Sequence, residues 1–218
     1  MSAHAIISTF GSIEADQRYT RLVELFSDDA VYYDPFAGAQ VGRSAIHEFM
    51  SEMERTIPKM GVYFADWETA ADTHVGWAKW NMVVPINGVE HPISGQSLYR
   101  LREGKVCFVA DYVDAVAYAR IRSDRRPDAK SASLAAKGTN ESGAAMVPVT
   151  EFWNARLVGW SPVTNGSVSV NDLAADASIA WVQWTCHTET GDFAGWTLHR
   201  VEGDRIESFD YWDDDRSL

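Results

Sequence analysis

Two stretches of the chain set an aspartate in the middle of an apolar, strand-like run: "GKVCFVADYVD" at 104–114 and "GDRIESFDYWD" at 203–213. In the first, Asp111 alternates with Cys107, Val109 and Val113, so on an extended backbone it projects from an otherwise apolar row. If that row faces the helices, the carboxyl is desolvated. Its charged form is disfavoured and its pKa rises toward neutrality, which suits a general acid or base. The same position suits a structural aspartate that accepts from a backbone amide, and spacing alone leaves both readings open. Tyr32 and Asp34, within "YYDP", share one face of a second extended run and can point into the same cavity. Trp77, Lys79 and Asn81 share one face of a third. A lysine among aromatic strand residues either faces solvent or neutralises a buried carboxylate.

Other chemistries find little footing. The six histidines are scattered, and neither H-E-x-x-H nor a Cys/His cluster suggests a metal site. No G-x-S-x-G marks a serine hydrolase, and neither a metal nor a cofactor is expected. The nine tryptophans fall mostly in strand positions, where packing explains them better than a sugar platform does.

The elements that must hold these side chains are legible from periodicity. Ile6, Phe10 and Ile13 are spaced for one helical face, as are Leu22, Leu25 and Phe26 within "DQRYTRLVELFSDD". "AVYYDPF" reads as a short strand ended by Pro35. Ile46, Phe49, Met50 and Met53 then define a helix expected to stop before Pro58. From 60 to 114 the texture is that of strands, with Asn87-Gly88 as a hairpin turn and "REGK" leading into the strand at 105–114. Helices followed by antiparallel strands predict an α+β layer, helices packed on one face of a curved antiparallel sheet.

Residues 121–146 lose this periodicity and read as a linker. The phrase then returns: "GVYFADWETAADTHVGWAKW" from Gly61 is echoed by "GSVSVNDLAADASIAWVQW" from Gly166, and "SGQSLYRLREGKV" by "AGWTLHRVEGDRI". Similarity at an offset of about a hundred residues points to a duplicated unit rather than a repeat array. The second copy lacks room for the helices. It is expected as a partial antiparallel sheet that covers its apolar face by packing on the first sheet. The strand at 105–114, apolar on both sides, needs two covers, which the helices and either that sheet or a homodimer partner would supply. Asp210 repeats Asp111, but Gln183 and Thr185 stand where the first copy has Lys79 and Asn81, so Asp210 reads as structural and Asp111 as chemical.

Composition bounds the partners. Of 218 residues 46% are hydrophobic, enough for a real core, and the net charge of −12 disfavours nucleic acid or an anionic membrane. Two unpaired-looking cysteines, Cys107 and Cys186, and the absence of a signal-like or membrane-spanning run give cytoplasmic residence as the expectation.

"LFSDDAVYYDPFAGAQVGRSAIHEFM" followed by "GQSLYRLREGKVCFVADYVD" resembles the nuclear-transport-factor-2-like superfamily, which includes SnoaL-like polyketide cyclases, ketosteroid isomerases and limonene epoxide hydrolases. The resemblance covers about residues 3–118 and implies a cystatin-like cone with a ligand pocket. Asp34 falls where ketosteroid isomerases keep a proton-shuttling aspartate. Phe10 stands near their oxyanion tyrosine, and Gln96 or Ser97 near the partner acid, so the donors for steroid isomerisation are missing. Against the epoxide hydrolases, Asp111 matches the water-activating aspartate and Tyr32 a water-positioning tyrosine. Asp34 replaces an asparagine there, and Lys79-x-Asn81 an Arg-x-Asp pair.

Together these readings divide the chain into a cone domain at 1–120, a linker at 121–146 and a degenerate second copy at 147–218. The function expected is carboxylate acid–base chemistry on a small apolar molecule, of cyclase, isomerase or epoxide hydrolase type. Asp111 is the base and Asp34 the acid or shuttle, with Tyr32, Trp77, Lys79 and Asn81 positioning water or substrate. The competing class is a non-catalytic binding or assembly module.

Overall fold

A computed structural model describes residues 3–121, 149, 166–175, 177–203 and 205–212. The chain opens with helix α1 (Ala3–Ala15), a 3-10 helix (Tyr19–Leu25), strands β1 (Phe26–Asp34) and β2 (Gly38–Val41), and helix α2 (Arg43–Met60). Strands β3 (Tyr63–Ala71), β4 (Val75–Ile86), β5 (Val89–Arg102) and β6 (Lys105–Val113) follow, then a short helix α3 (Ala115–Ile121). These strands form one six-stranded sheet in the order β2-β1-β6-β5-β4-β3. Every neighbouring pair is antiparallel except β1 with β6, which run parallel, so the sheet is mixed. A second, four-stranded antiparallel sheet, β10-β9-β8-β7, is built from β7 (Ser167–Ala175), β8 (Ile179–Thr188), β9 (Gly191–Glu202) and β10 (Arg205–Trp212). Helices on a curved sheet, with a second partial sheet, are the architecture that the α+β reading predicts.

Local chemistry explains the elements and the departures from expectation. Leu22 and Phe26 are both fully buried in one cluster, as their spacing requires, but the segment is a 3-10 helix and Phe26 already belongs to β1. Strand pairing of Phe26 with Val106 prevails there over helical spacing. Helix α2 does not stop before Pro58. It runs on to Met60, with Pro58 inside its last turn. Gly61, in the left-handed region at φ 69°, ends it by donating to the Pro58 carbonyl at 3.1 Å. Asn87 and Gly88, both at positive φ, make the tight turn between β4 and β5. Helix α3 begins inside the expected first domain, with the Asp114 carboxylate accepting from the Ala117 amide at 2.8 Å. Residues 122–146 of the expected linker lie outside the described residues, and so do 147–165 of the expected second copy apart from Val149.

One irregularity decides which way β6 faces. The β5–β6 ladder pairs Arg102 with Lys105 and Leu101 with Val106, then shifts so that Arg100 meets Phe108. Cys107 is the extra residue, and its thiol donates to the Arg100 carbonyl at 3.3 Å. Beyond this bulge Val109 and Val113 face the helices, whereas Phe108, Ala110 and Tyr112 face away from them. Val106, ahead of the bulge, falls on the helix side rather than beside Phe108.

The face turned away from the helices is covered by the second sheet. Trp77, Leu98, Phe108 and Tyr112 share one buried cluster with Ile179, Trp181 and Leu198, and the Tyr112 and Trp181 rings lie 5.7 Å apart. Polar contacts frame the cluster. Arg200 bonds Glu68 at 2.5 Å and lies over the Trp77 ring, and Asp72 accepts from the Ser178 amide and hydroxyl. Among the described residues no helix is long and apolar enough to cross a membrane.

Candidate functional site

A cavity of about 70 Å³, room for a few waters or a small organic group, opens between the helices and the concave face of the first sheet. Its wall is mostly apolar and aromatic, with Phe36, Phe64, Trp80 and Met82 among the contributors, and three carboxyls, Glu14, Asp34 and Asp111, line it.

Asp111 sits at the centre of a hydrogen-bond relay. Because the bulge turns it toward the helices, it pairs across the ladder with Ser97, whose hydroxyl donates to Oδ1 at 2.6 Å. The Tyr32 hydroxyl, from β1 on the other side, donates to Oδ2. Behind Ser97, the indole Nε1 of Trp80 donates to its Oγ at 2.9 Å, leaving the serine proton free for the carboxylate. Burial pushes the Asp111 carboxyl from 3.8 up to about 7, against the opposing pull of the Ser97 and Tyr32 bonds, and the nearby Asp34 charge adds to the rise. A carboxylate that gains and loses a proton near neutral pH is the object the site presents.

Two of its neighbours are pushed in the same direction. Tyr32 is raised well above the usual phenol range by burial and by the Asp111 charge, so it remains a donor. Glu14, from the last turn of α1, is only 8% exposed, and burial followed by the Asp111 charge raises its carboxyl well above the ordinary range.

Asp34 lines the cavity as well, but its Oδ1 accepts from the amides of Phe36 and Ala37, at 2.7 Å each, and so builds the turn from β1 into β2. These bonds tie the carboxylate expected as acid or proton shuttle into the turn at the cavity mouth. Trp77, Lys79 and Asn81 do share a face of β4, but it is the wrong one for positioning a substrate beside Asp111. The period of two that groups them sets them opposite Trp80 and Met82, which face the helices. Trp77 is buried between the sheets, and Asn81 donates to Asp66 and accepts from Ser94. Of the positions expected, the cavity therefore gathers Asp111, Asp34 and Tyr32.

Glu14, Ser97 and Trp80 complete it. A signal for Glu14 was present in its spacing four residues after Phe10, on the buried stripe of α1. Ser97 could not be paired with Asp111 by counting back from the turn, because the bulge shifts the register by one. In the second sheet Thr197 pairs with Asp210, whose side chain lies outside the described residues. Among the described residues no group of His, Cys, Asp and Glu is arranged to hold a metal ion.

The helices, the mixed sheet and the enclosed polar cluster define a cone-type α+β domain. Residues 10–109 match the family model of the SnoaL-like domain, so this stretch of the chain is SnoaL-like. Among similar solved structures is a nuclear-transport-factor-2-like protein of unknown function from Cytophaga hutchinsonii, 11% identical, covering 50% of this chain and 97% of its own, with a TM-score of 0.44. A protein of ketosteroid isomerase-like fold from Catenulispora acidiphila, in complex with trimethylamine, is 17% identical over 51% of this chain and 86% of its own, with a TM-score of 0.42. A candidate polyketide cyclase from Pseudomonas putida is likewise 17% identical, over 51% and 91%, with a TM-score of 0.43. No curated protein matches this sequence.

Proposed function

We propose that this chain is an enzyme that applies carboxylate acid–base chemistry to a small, largely apolar molecule, in a reaction of cyclase, isomerase or epoxide hydrolase type. The observation that carries the reading is Asp111: a carboxyl set in an apolar cavity and bonded by Ser97 and Tyr32, its pKa pushed by burial up to about 7. In its ionised form it takes a proton from carbon or from water. The two donors keep its oxygens oriented and share the negative charge. Asp34 tunes the base by its charge and shapes the cavity mouth through the turn it builds.

The remaining proposals follow from the rest of the molecule. The second sheet is read as a partial repeat whose work is to cover the outer face of the first, an internal counterpart of a dimer partner. The register echo supports this: Trp80 pairs with Gly95 and Ser97 with Asp111 in one sheet, Trp184 with Gly195 and Thr197 with Asp210 in the other. Cytoplasmic residence is supported by the free thiols of Cys107 and Cys186.

The test is turnover of an epoxide and of a β,γ-unsaturated ketone by wild type and Asp111→Asn. The variant is expected to lose about 100-fold or more in kcat/KM on whichever substrate reacts. Equal turnover by both proteins overturns the assignment, and binding of these compounds without turnover by wild type moves the chain to the class of binding modules.

A further inference from the structure

We propose that Glu14 is the proton donor of this cavity, that it meets an oxygen atom of the substrate, and that the substrate is therefore an uncharged molecule with a carbonyl or epoxide oxygen at its reactive end. The chemical step rests on the acid–base reading of Asp111; the protonation of Glu14 and its contact with a ligand oxygen do not.

Of the side chains lining the cavity, Tyr32, Ser97 and Trp80 carry polar hydrogens, and each is already committed: Tyr32 and Ser97 to Asp111, and Trp80 to Ser97. A ligand oxygen entering the cavity can draw on none of them without breaking the relay. Glu14 is different. It follows Ile6, Ile7, Phe10 and Ile13 on the buried stripe of α1, is 8% exposed, and among the described residues forms no hydrogen bond through its carboxyl. Burying an unpaired carboxylate is so unfavourable that the group takes up a proton instead. A protonated carboxyl is an O–H donor in search of an acceptor.

The groups facing it reinforce this state. Asp111 on β6 repels a second negative charge, and Tyr19, Tyr32 and Tyr99, from the 3-10 helix, β1 and β5, are neutral phenols whose own ionisation Glu14 opposes. Asp34 adds a further negative charge at the mouth. Among the described residues no lysine, arginine or histidine lines the cavity, so a carboxylate or phosphate on the ligand would find three acids and no partner there. A neutral oxygen acceptor satisfies Glu14 and leaves Asp111 free to act.

The step balances within the cavity. With a carbonyl substrate, Asp111 takes a proton from the adjacent carbon, the C–H electron pair becomes the new C=C bond, and the carbonyl π pair moves to oxygen, which takes the Glu14 proton. Asp111 then returns its proton to carbon and the oxygen returns its own to Glu14. With an epoxide, Asp111 takes a proton from water as the water oxygen bonds to carbon. The C–O bond breaks, and the released oxygen keeps the Glu14 proton. Solvent then carries the Asp111 proton back to Glu14.

Infrared spectroscopy of the full chain at pH 8 tests the protonation directly. A protonated-carboxyl band is expected in wild type and in Asp111→Asn, and is expected to vanish in Glu14→Gln. A band that survives in Glu14→Gln overturns the proposal whatever Asp111→Asn does to turnover. The contact is read with carbonyl-labelled cyclohexanone and with cyclohexene oxide. Glu14→Gln, which can donate but has no acid proton to transfer, should bind them within about threefold of wild type and lose about 100-fold in turnover. Glu14→Leu should lose both the lowered carbonyl stretch of bound cyclohexanone and the affinity. Turnover by Glu14→Gln equal to wild type, or a wild type that binds neither probe, overturns the role. Unchanged turnover in Asp111→Asn with the infrared result intact removes the base while leaving Glu14 as the protonated acid.

Discussion

Asp111 is held between opposing influences, and each can be removed separately. Burial and the Asp34 charge raise its pKa, while Ser97 and Tyr32 lower it. Asp34→Asn keeps an oxygen for the Phe36 and Ala37 amides but drops the charge, so the Asp111 titration should move to lower pH with little change in thermal stability. Tyr32→Phe removes a donor to the carboxylate and should move it to higher pH. Carboxyl-carbon NMR or the acid limb of a pH–rate profile reads both; shifts of the same sign in the two variants would refute this electrostatic account. Linkage gives a further test. A carboxyl whose pKa is higher in the folded state contributes most to stability below its unfolded value of 3.8, and the contribution is lost as pH rises through about 7. Asp111→Asn should therefore gain on wild type between pH 4 and pH 8, by on the order of 2–4 kcal/mol for a shift of this size. Urea denaturation at the two pH values checks it, and an advantage that shrinks as pH rises would contradict the buried-acid reading.

At the scale of elements, two strand irregularities set the geometry of the site. The Cys107 bulge turns Asp111 toward the helices and aligns it with Ser97. In β9–β10 the pairing runs without interruption from Arg205–Glu202 to Asp210–Thr197. Ser97 and Thr197 are 100 positions apart, whereas Asp111 and Asp210 are 99 apart, so the difference of one is the bulge residue. The second device is a glycine beneath an indole. A Cβ at Gly95 would lie 2.2 Å from the Trp80 ring, and one at Gly195 2.0 Å from that of Trp184. Either alanine substitution should cost about 1–3 kcal/mol through overpacking. Only Gly95→Ala displaces the ring that bonds Ser97, so it alone should also shift the Asp111 titration. Comparing urea midpoints and pH profiles of the two variants separates these effects.

Across the whole molecule, the strand bearing Asp111 is a shared wall. Val109 and Val113 pack under the helices, and Phe108, Ala110 and Tyr112 pack against the second sheet. Trp181, 1% exposed, stands against Tyr112, the immediate neighbour of Asp111. Trp181→Ala is expected to cost about 3–5 kcal/mol and to weaken the first sheet as well as the second. Denaturation followed by signals from both sheets should show them losing stability together. If the β7–β10 sheet alone melts early while the cavity keeps its titration, the two sheets do not support each other energetically.

How much of this was written in the linear order of residues can be judged from particular cases. The strands at 60–114, the Asn87-Gly88 turn and the isolation of Asp111 in an apolar row are all local patterns, and periodicity carries them because a pleated backbone sends alternate side chains to opposite faces. The same rule grouped Trp77, Lys79 and Asn81 correctly but could not say which side of the sheet held the helices. The bulge, the Ser97 register and the seat of Glu14 depend on elements far apart in the chain closing on one another. Which acid holds its proton follows from burial and from neighbouring charge, and those quantities come into being only when α1, β1, β5 and β6 enclose the same small space.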